Sequence, residues 1–140
     1  FYNQSGQLAH EVSVERMGKS VGSKTYEYDD QGRTSKINLF NSDGVITETI
    51  NSIYDEASNK INQYHADLTF KILSEKETQF NQQGRPVMVA FLDGEERLIE
   101  KKVYSYTKNG RIDQIIQYDT IRRGAKDREI PFRVMIYEYE

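Results

Sequence analysis

The residues Thr25–Arg33 read TYEYDDQGR, and Val103–Arg111, 78 positions later, read VYSYTKNGR. Each segment places two alternating tyrosines directly before a short polar sequence that ends in glycine and arginine. Alternation of apolar and polar residues is typical of a β-strand, and a cluster of Asp, Asn and Gly is typical of a tight turn. The two segments therefore predict that one strand-and-turn element occurs more than once in the chain.

The spacing of 78 residues is three periods of 26, and the intermediate positions also match. The slots at this period are all aromatic: Tyr2, Tyr28, Tyr54, Phe80 and Tyr106. Four residues after each slot comes a glycine, except in the third copy, where Ser58 is followed by Asn59. We therefore predict a single repeat domain over residues 1–140, built from about five units of 26 residues.

Each slot is followed by a turn-forming residue, which is Asn, Asp or Thr. An Asx residue with glycine three positions later predicts a type I turn that closes into a left-handed glycine, and such a turn joins the strands of a hairpin. In the third copy we expect Asn59 to take the left-handed role. Second turns are predicted inside the units, at Met17–Gly18, Asn41–Gly44 and Leu92–Gly94.

The segments between turns alternate with period two, as in Val87, Val89 and Phe91. This pattern predicts an all-β fold, an antiparallel meander of repeated β-hairpins that forms one twisted, curved repeat sheet of roughly ten strands. An alternative for residues 52–76 is a helix, because Ile53, Ala57 and Ile61 fall at helical spacing. We prefer strands there because Tyr54 keeps the phase of the repeat.

The register changes near the end of the chain, where Tyr139 follows Tyr106 by 33 residues instead of 26. We place an insertion around residues 120–132. Inserted loops often carry binding residues, and a solvated loop without a function is the other interpretation.

Composition narrows the classes of function. The net charge is −3, there are no cysteines, and ten tyrosines and six phenylalanines supply much of the apolar area in a chain of low mean hydropathy, −0.78. We therefore expect no nucleic-acid partner, no thiol chemistry and, in the absence of a long apolar run, no transmembrane segment. Because the first residues, FYNQ, resemble the middle of a strand, we expect that a preceding segment has been removed.

Motifs for chemistry fail on closer inspection. Gly18-Lys19-Ser20 lacks the first glycine of a phosphate loop, and the loop around Asp43 has Leu39 and Ile50 where calcium ligands are needed. The only histidines, His10 and His65, have no neighbouring nucleophile motif. We expect no catalytic residue, no metal site and no cofactor, and therefore not an enzyme.

The segments at 26–33 (YEYDDQGR) and 53–61 (IYDEASNKI) resemble the YD repeat of bacterial RHS and teneurin-type proteins. The resemblance implies an extracytoplasmic array of β-hairpins, whose large members enclose a toxin domain and are often described as carbohydrate-binding. This unit is longer than the usual repeat, and only the second and third copies carry a literal Tyr-Asp.

From these observations we expect a non-catalytic binding or scaffold module in the periplasm, at the cell surface or secreted from a bacterium. Its partner would be a carbohydrate or a protein, and strand-like ends also predict edge-to-edge self-association. The alternative is a purely structural spacer or part of a shell around a toxin domain. The candidate binding residues are tyrosines at or next to the repeated aromatic positions and two arginines of the insertion: Tyr26, Tyr28, Tyr54, Tyr104, Tyr106, Arg122 and Arg123.

Overall fold

The computed structural model describes residues 1–123 and 126–139, with the side chains of 121–128 excluded from that description. The described residues form ten β-strands and no helix. The strands are β1 (His10–Val14), β2 (Ser20–Tyr28), β3 (Thr34–Phe40), β4 (Ile46–Asp55), β5 (Lys60–Asp67), β6 (Ile72–Phe80), β7 (Pro86–Asp93), β8 (Leu98–Tyr106), β9 (Ile112–Arg123) and β10 (Lys126–Ile136).

The strands belong to one antiparallel meander sheet, in which the strand order follows the chain from β1 to β10. The predicted all-β sheet of hairpins is thereby confirmed. The helical alternative for residues 52–76 is wrong, because β4, β5 and β6 occupy that segment. In this segment the period-two alternation and the β-branched residues favour strands more strongly than the helical spacing of a few apolar residues favours a helix.

The turn between β2 and β3 illustrates how the chain reverses. Gly32 has a φ of 76° and donates its N–H to the carbonyl of Asp29 at 2.9 Å, while the Asp29 N–H donates to the carbonyl of Arg33 at 2.9 Å. The Asp29 carboxylate also accepts from the backbone N–H of Gln31 and of Arg33, at 3.0 and 2.8 Å. The predicted side-chain cap and left-handed glycine are both present.

The same pair of backbone hydrogen bonds occurs in most other connections. It begins at Asn3, Glu15, Asn41, Asp67, Asn81, Asp93 and Thr107. A bulge accompanies most of these turns, since the pairing register shifts at one end of six ladders, for example between Glu27 and Tyr28. At a bulge, two residues of one strand lie opposite one residue of its partner. The side chains beyond the bulge therefore stay on the same face of the sheet as before.

Two turns differ from the sequence prediction. The turn between β7 and β8 runs from Asp93 to Glu96, and Glu96, with a φ of 60°, takes the left-handed conformation. The turn predicted at Leu92–Gly94 is present with shifted bounds, because the Asp93 side chain caps the N–H groups of Glu95 and Arg97 and the left-handed residue falls two positions after Gly94.

The connection between β5 and β6 was not anticipated. It places Phe70 in the left-handed region, at a φ of 64°. In the third predicted unit Asn59 does take this conformation, at a φ of 51°. The left-handed residues Gly18, Gly44, Phe70 and Glu96 follow one another at intervals of 26 residues.

The extra residues near the end of the chain lengthen a hairpin. Instead of a loop, most of the segment 120–132 lies in the facing ends of β9 and β10, where Thr120 pairs with Glu129 and Asp119 pairs with Ile130. Gly124 and Ala125 lie outside the described residues. A bulge between Pro131 and Arg133 adjusts the register of this hairpin.

The chain separates into two compact units. The first contains Phe1–Ile53 and Gln63–Leu73, and the second contains Tyr54–Asn62 and Ser74–Glu140. Few side chains are removed from water: the buried apolar residues of the described part are Ala66, Ala90 and Ile115. Large apolar side chains of this part stay exposed, among them Phe70, Val134 and Ile136.

Candidate functional site

The tyrosines of β2 use their hydroxyl groups within the first unit. The Tyr26 hydroxyl donates to the Glu11 carboxylate at 2.8 Å, and the Tyr28 hydroxyl donates to the carbonyl of Leu8 at 2.7 Å. Burial, followed by the hydrogen bond to Glu11, raises the pKa of Tyr26 to about 12. Both rings are half-buried, so neither is an open platform for a ligand.

The tyrosines of β8 are also part of the sheet. The Tyr106 hydroxyl donates to the carbonyl of Pro86 at 2.5 Å, and burial raises its pKa. Tyr104 is half-buried and pairs across the ladder with the buried Ile115. Tyr54, near the end of β4, is half-buried and has an interaction partner as well.

The structure therefore places two of the candidate tyrosines side by side on β2 and two on β8, while Tyr54 lies on β4. The two candidate arginines, Arg122 and Arg123, have strand backbone at the end of β9. Their side chains lie outside the described residues.

Arginine and tyrosine link neighbouring hairpins in the second unit. The guanidinium carbon of Arg85, just after one turn, lies 5.8 Å from the centre of the Tyr106 ring, and that of Arg111 lies 5.0 Å from the Tyr139 ring. Each of these tyrosines also donates its hydroxyl to the first residue of the strand that follows the arginine. The arginines after the turn glycines thus stack on tyrosines, as their sequence position favours.

A cavity of about 390 Å³ opens beside the second of these pairs. Its walls come from the turn between β8 and β9 and from the residues that follow β10: Thr107, Asn109, Arg111, Tyr137 and Tyr139. Sequence reasoning missed this cavity. The available signals were Thr107, which replaces the usual Asx residue of the turn, and Tyr139, which is displaced from the 26-residue phase.

The second unit also carries an aliphatic row across four strands, which we call the apolar row. Met88 of β7 pairs with Val103 of β8, Val103 pairs with Ile116 of β9, and Ile116 pairs with Val134 of β10. Directly paired residues share one face of an antiparallel sheet, so the four side chains lie side by side. Val134 is 50% exposed.

Charged side chains with fixed partners lie along one border of the apolar row. On the same face, Lys101 lies 5.5 Å from the centre of the Tyr118 ring and forms an ion pair with Glu129 at 2.6 Å. Two residues beyond Val134, Ile136 is 69% exposed on this face. The arrangement is an apolar strip with a polar rim, which is typical of a protein-binding surface.

Chemistry-bearing side chains are dispersed in the described part of the chain. His65 contacts the Glu48 carboxylate at 2.5 Å, and His10 stacks on Phe1. Among the described residues, no three His, Asp or Glu side chains come together in a way that could hold a metal ion. That part of the chain also contains no helix with the length and apolar character to cross a membrane.

Comparison with known proteins bears on the fold alone. No protein family and no curated protein matches the chain. Among solved structures, the chain is similar to a protein with unknown function from Bacteroides fragilis, with 15% sequence identity and a TM-score of 0.56 over 91% of this chain and 90% of that chain. At this level of identity the likeness extends to the arrangement of strands and carries no activity.

Proposed function

We propose that this protein is a non-catalytic binding or scaffold module and that it binds a protein partner through the apolar row of β7–β10. The observation that carries the proposal is the pairing of Met88, Val103, Ile116 and Val134 into one aliphatic strip. Four strands at a spacing of about 4.8 Å give this strip a length of about 14 Å. Val134 and the neighbouring Ile136 are exposed, and the other three members of the strip are half-buried. An apolar strip that opens to water at β10 and is bordered by charged residues favours a macromolecular partner.

A protein partner is favoured over a carbohydrate for this surface. Stacking on a sugar requires an open aromatic ring, whereas Tyr26, Tyr28 and Tyr106 are half-buried and hydrogen-bonded within the sheet. Aliphatic side chains contribute to binding mainly by removing apolar area from water, at about 25 cal/mol per Å². A partner with its own aliphatic face gains most from that contribution.

The proposed location is outside the cytoplasm, in the periplasm, at the cell surface or secreted, and its support is the resemblance of residues 26–33 to the YD repeat. Fractionation of the producing cell tests this location. Recovery of the protein in the cytoplasmic fraction alone would refute it. Edge-to-edge self-association stays a prediction, which light scattering at increasing protein concentration tests.

Site-specific photo-crosslinking tests the binding surface. A photoreactive phenylalanine analogue replaces Val134 in one variant and Arg133 in a control variant. The two positions are adjacent on β10, but Val134 pairs with Ile116 while Arg133 pairs with Gln117 on the opposite face. We expect a discrete heteromeric adduct from position 134 and none from position 133.

The masses of the adducts separate the two functions. An adduct with a different protein supports a binding module. An adduct confined to the same polypeptide supports the structural alternative, a spacer or shell, and contradicts the proposal. Equal yields of adduct from positions 133 and 134 also contradict the proposal, because they show that the partner does not contact the face of the apolar row more than the opposite face.

A further inference from the structure

The cavity beside β9 contains Arg111, whose surroundings differ from those of Arg33 and Arg97 and resemble those of Arg85, which also stacks on a tyrosine. Arg33 is held by Asp29 at 2.7 Å, and Arg97 is held by Asp93 and Glu95, both at 2.6 Å. In the turn before Arg111, Thr107 occupies the position of the aspartate. Among the described residues, no carboxylate lies within ion-pair distance of Arg111.

The position of Arg111 is nevertheless well defined. Its backbone N–H donates to the Thr107 hydroxyl at 3.2 Å, and its carbonyl accepts from the Thr107 N–H at 2.9 Å. The guanidinium lies over the Tyr139 ring, and the Tyr139 hydroxyl is fixed by the carbonyl of Ile112 at 2.8 Å. The cation therefore needs little reordering to receive a ligand, and a preordered site binds at lower entropic cost.

The other walls of the cavity supply neutral polar groups. The Asn109 amide offers two donors and an acceptor, and the Tyr137 hydroxyl is both a donor and an acceptor. Tyr137 is 40% exposed, and its backbone N–H is held by the carbonyl of Asp113 at 3.0 Å. The lining residues include no carboxylate, so the electrostatics of the described walls favour an anion.

We propose that this cavity binds a small hydroxylated carboxylate, such as a sugar acid. The Arg111 guanidinium binds the carboxylate in the paired geometry that arginine favours, while Asn109 and Tyr137 contact hydroxyl groups. The volume of about 390 Å³ lies within the range of small-ligand sites, about 300–1,000 Å³, and fits one ring. This site is separate from the apolar row and does not depend on the function proposed for that row.

Calorimetric and NMR titrations with glucuronate test the proposal, and glucose is the uncharged control ligand. We expect glucuronate to bind with a dissociation constant on the order of 1 mM and glucose to bind at least tenfold more weakly. A short polyuronate then distinguishes a glycan from a free acid as the source of the ligand. Tighter binding of the polyuronate indicates a glycan, and equal or weaker binding indicates the free acid.

Variants of two arginines provide the matched comparison. Arg111→Gln should weaken glucuronate binding at least tenfold, and Arg111→Lys should recover only part of the loss because lysine lacks the paired donors. Arg85→Gln removes an arginine that also stacks on a tyrosine but does not line the cavity, so it should leave binding unchanged. Far-ultraviolet circular dichroism confirms that each variant is folded.

Four results would overturn the proposal. Glucuronate and glucose could bind equally, glucuronate could show no binding up to the highest soluble concentration, or Arg111→Gln could bind as well as the parent. Loss of binding in both Arg111→Gln and Arg85→Gln would also count against it, because that result indicates a general effect of arginine on the sheet.

Discussion

Replacement of Gly110 by alanine tests how turns and neighbouring hairpins are coupled. Gly110 has a φ of 78°, and a Cβ atom there would overlap the guanidinium of Arg85. Gly84 has nearly the same φ, 73°, but nothing lies within 4 Å of its added Cβ atom. Both glycines belong to the second unit, so Gly84→Ala is a matched control for the backbone strain alone.

The two substitutions should differ by a predictable amount. The left-handed conformation costs alanine roughly 1–2 kcal/mol, and the reduced entropy of the unfolded chain offsets about 0.4–1 kcal/mol of this cost. We therefore expect Gly84→Ala to lower the free energy of unfolding by about 1 kcal/mol. At Gly110 the flexible Arg85 side chain can move away, so the additional loss is its contact with Tyr106, worth about 0.5–1 kcal/mol.

A double-mutant cycle isolates that additional loss. Urea unfolding, followed by circular dichroism, is measured for Gly84→Ala and Gly110→Ala, each in the parent and in Arg85→Ala. We expect the excess cost at Gly110 to be present in the parent and to disappear in the Arg85→Ala background. If Gly110→Ala costs no more than Gly84→Ala in the parent, the coupling of neighbouring hairpins through Arg85 is refuted.

The remaining predictions concern strain and titration in the first unit. Phe70→Gly should raise the free energy of unfolding by about 0.5–1 kcal/mol, because Phe70 has a φ of 64° and is 87% exposed; a destabilised variant in urea unfolding would contradict the strain. Since the pKa of Tyr26 rises from 10.0 to about 12 on folding, its stabilising contribution is complete below pH 10.0 and is lost as the pH rises through 12. Alkaline unfolding curves of Tyr26→Phe should therefore depend less steeply on pH in that interval, and an unchanged slope would argue against the prediction. The backbone hydrogen bond from Arg33 lowers the pKa of Asp29, so stability should fall as the pH drops below about 4. Asn at this position keeps the acceptor but cannot titrate, and Asp29→Asn should weaken the acid dependence measured by thermal unfolding at a series of pH values; an equal dependence would exclude Asp29 as its source.

The turns show which structural features can be predicted from the sequence. Gly32 and Asn59 were predicted because the residue type itself tolerates the left-handed conformation. Phe70 and Glu96 were not predicted, since side-chain caps from Asp67 and Asp93 impose this conformation on residues that do not favour it. The signal at these turns lies three residues before the strained position.

The candidate sites depend on pairings that the sequence does not display. The alternating pattern in the sequence singled out Val87, Val89 and Phe91, which lie on one face of β7. The apolar row lies on the opposite face, because Met88 is the residue that pairs with Val103. Tyr106 was a candidate binding residue, yet its hydroxyl donates to the carbonyl of Pro86 on the preceding hairpin. Such contacts depend on strand register and on bulges, which single-sequence patterns leave undetermined.

The central claim is that the aliphatic side chains of β10 remain open to water. Methyl NMR signals in the presence of a soluble paramagnetic agent measure this directly. We expect strong attenuation at Val134 and Ile136, which are 50% and 69% exposed, and little at Ala66 and Ala90, which are 3% and 6% exposed. Protection of Val134 and Ile136 to the level of the two alanines would show that the chain covers its own apolar face, and that result would contradict the account.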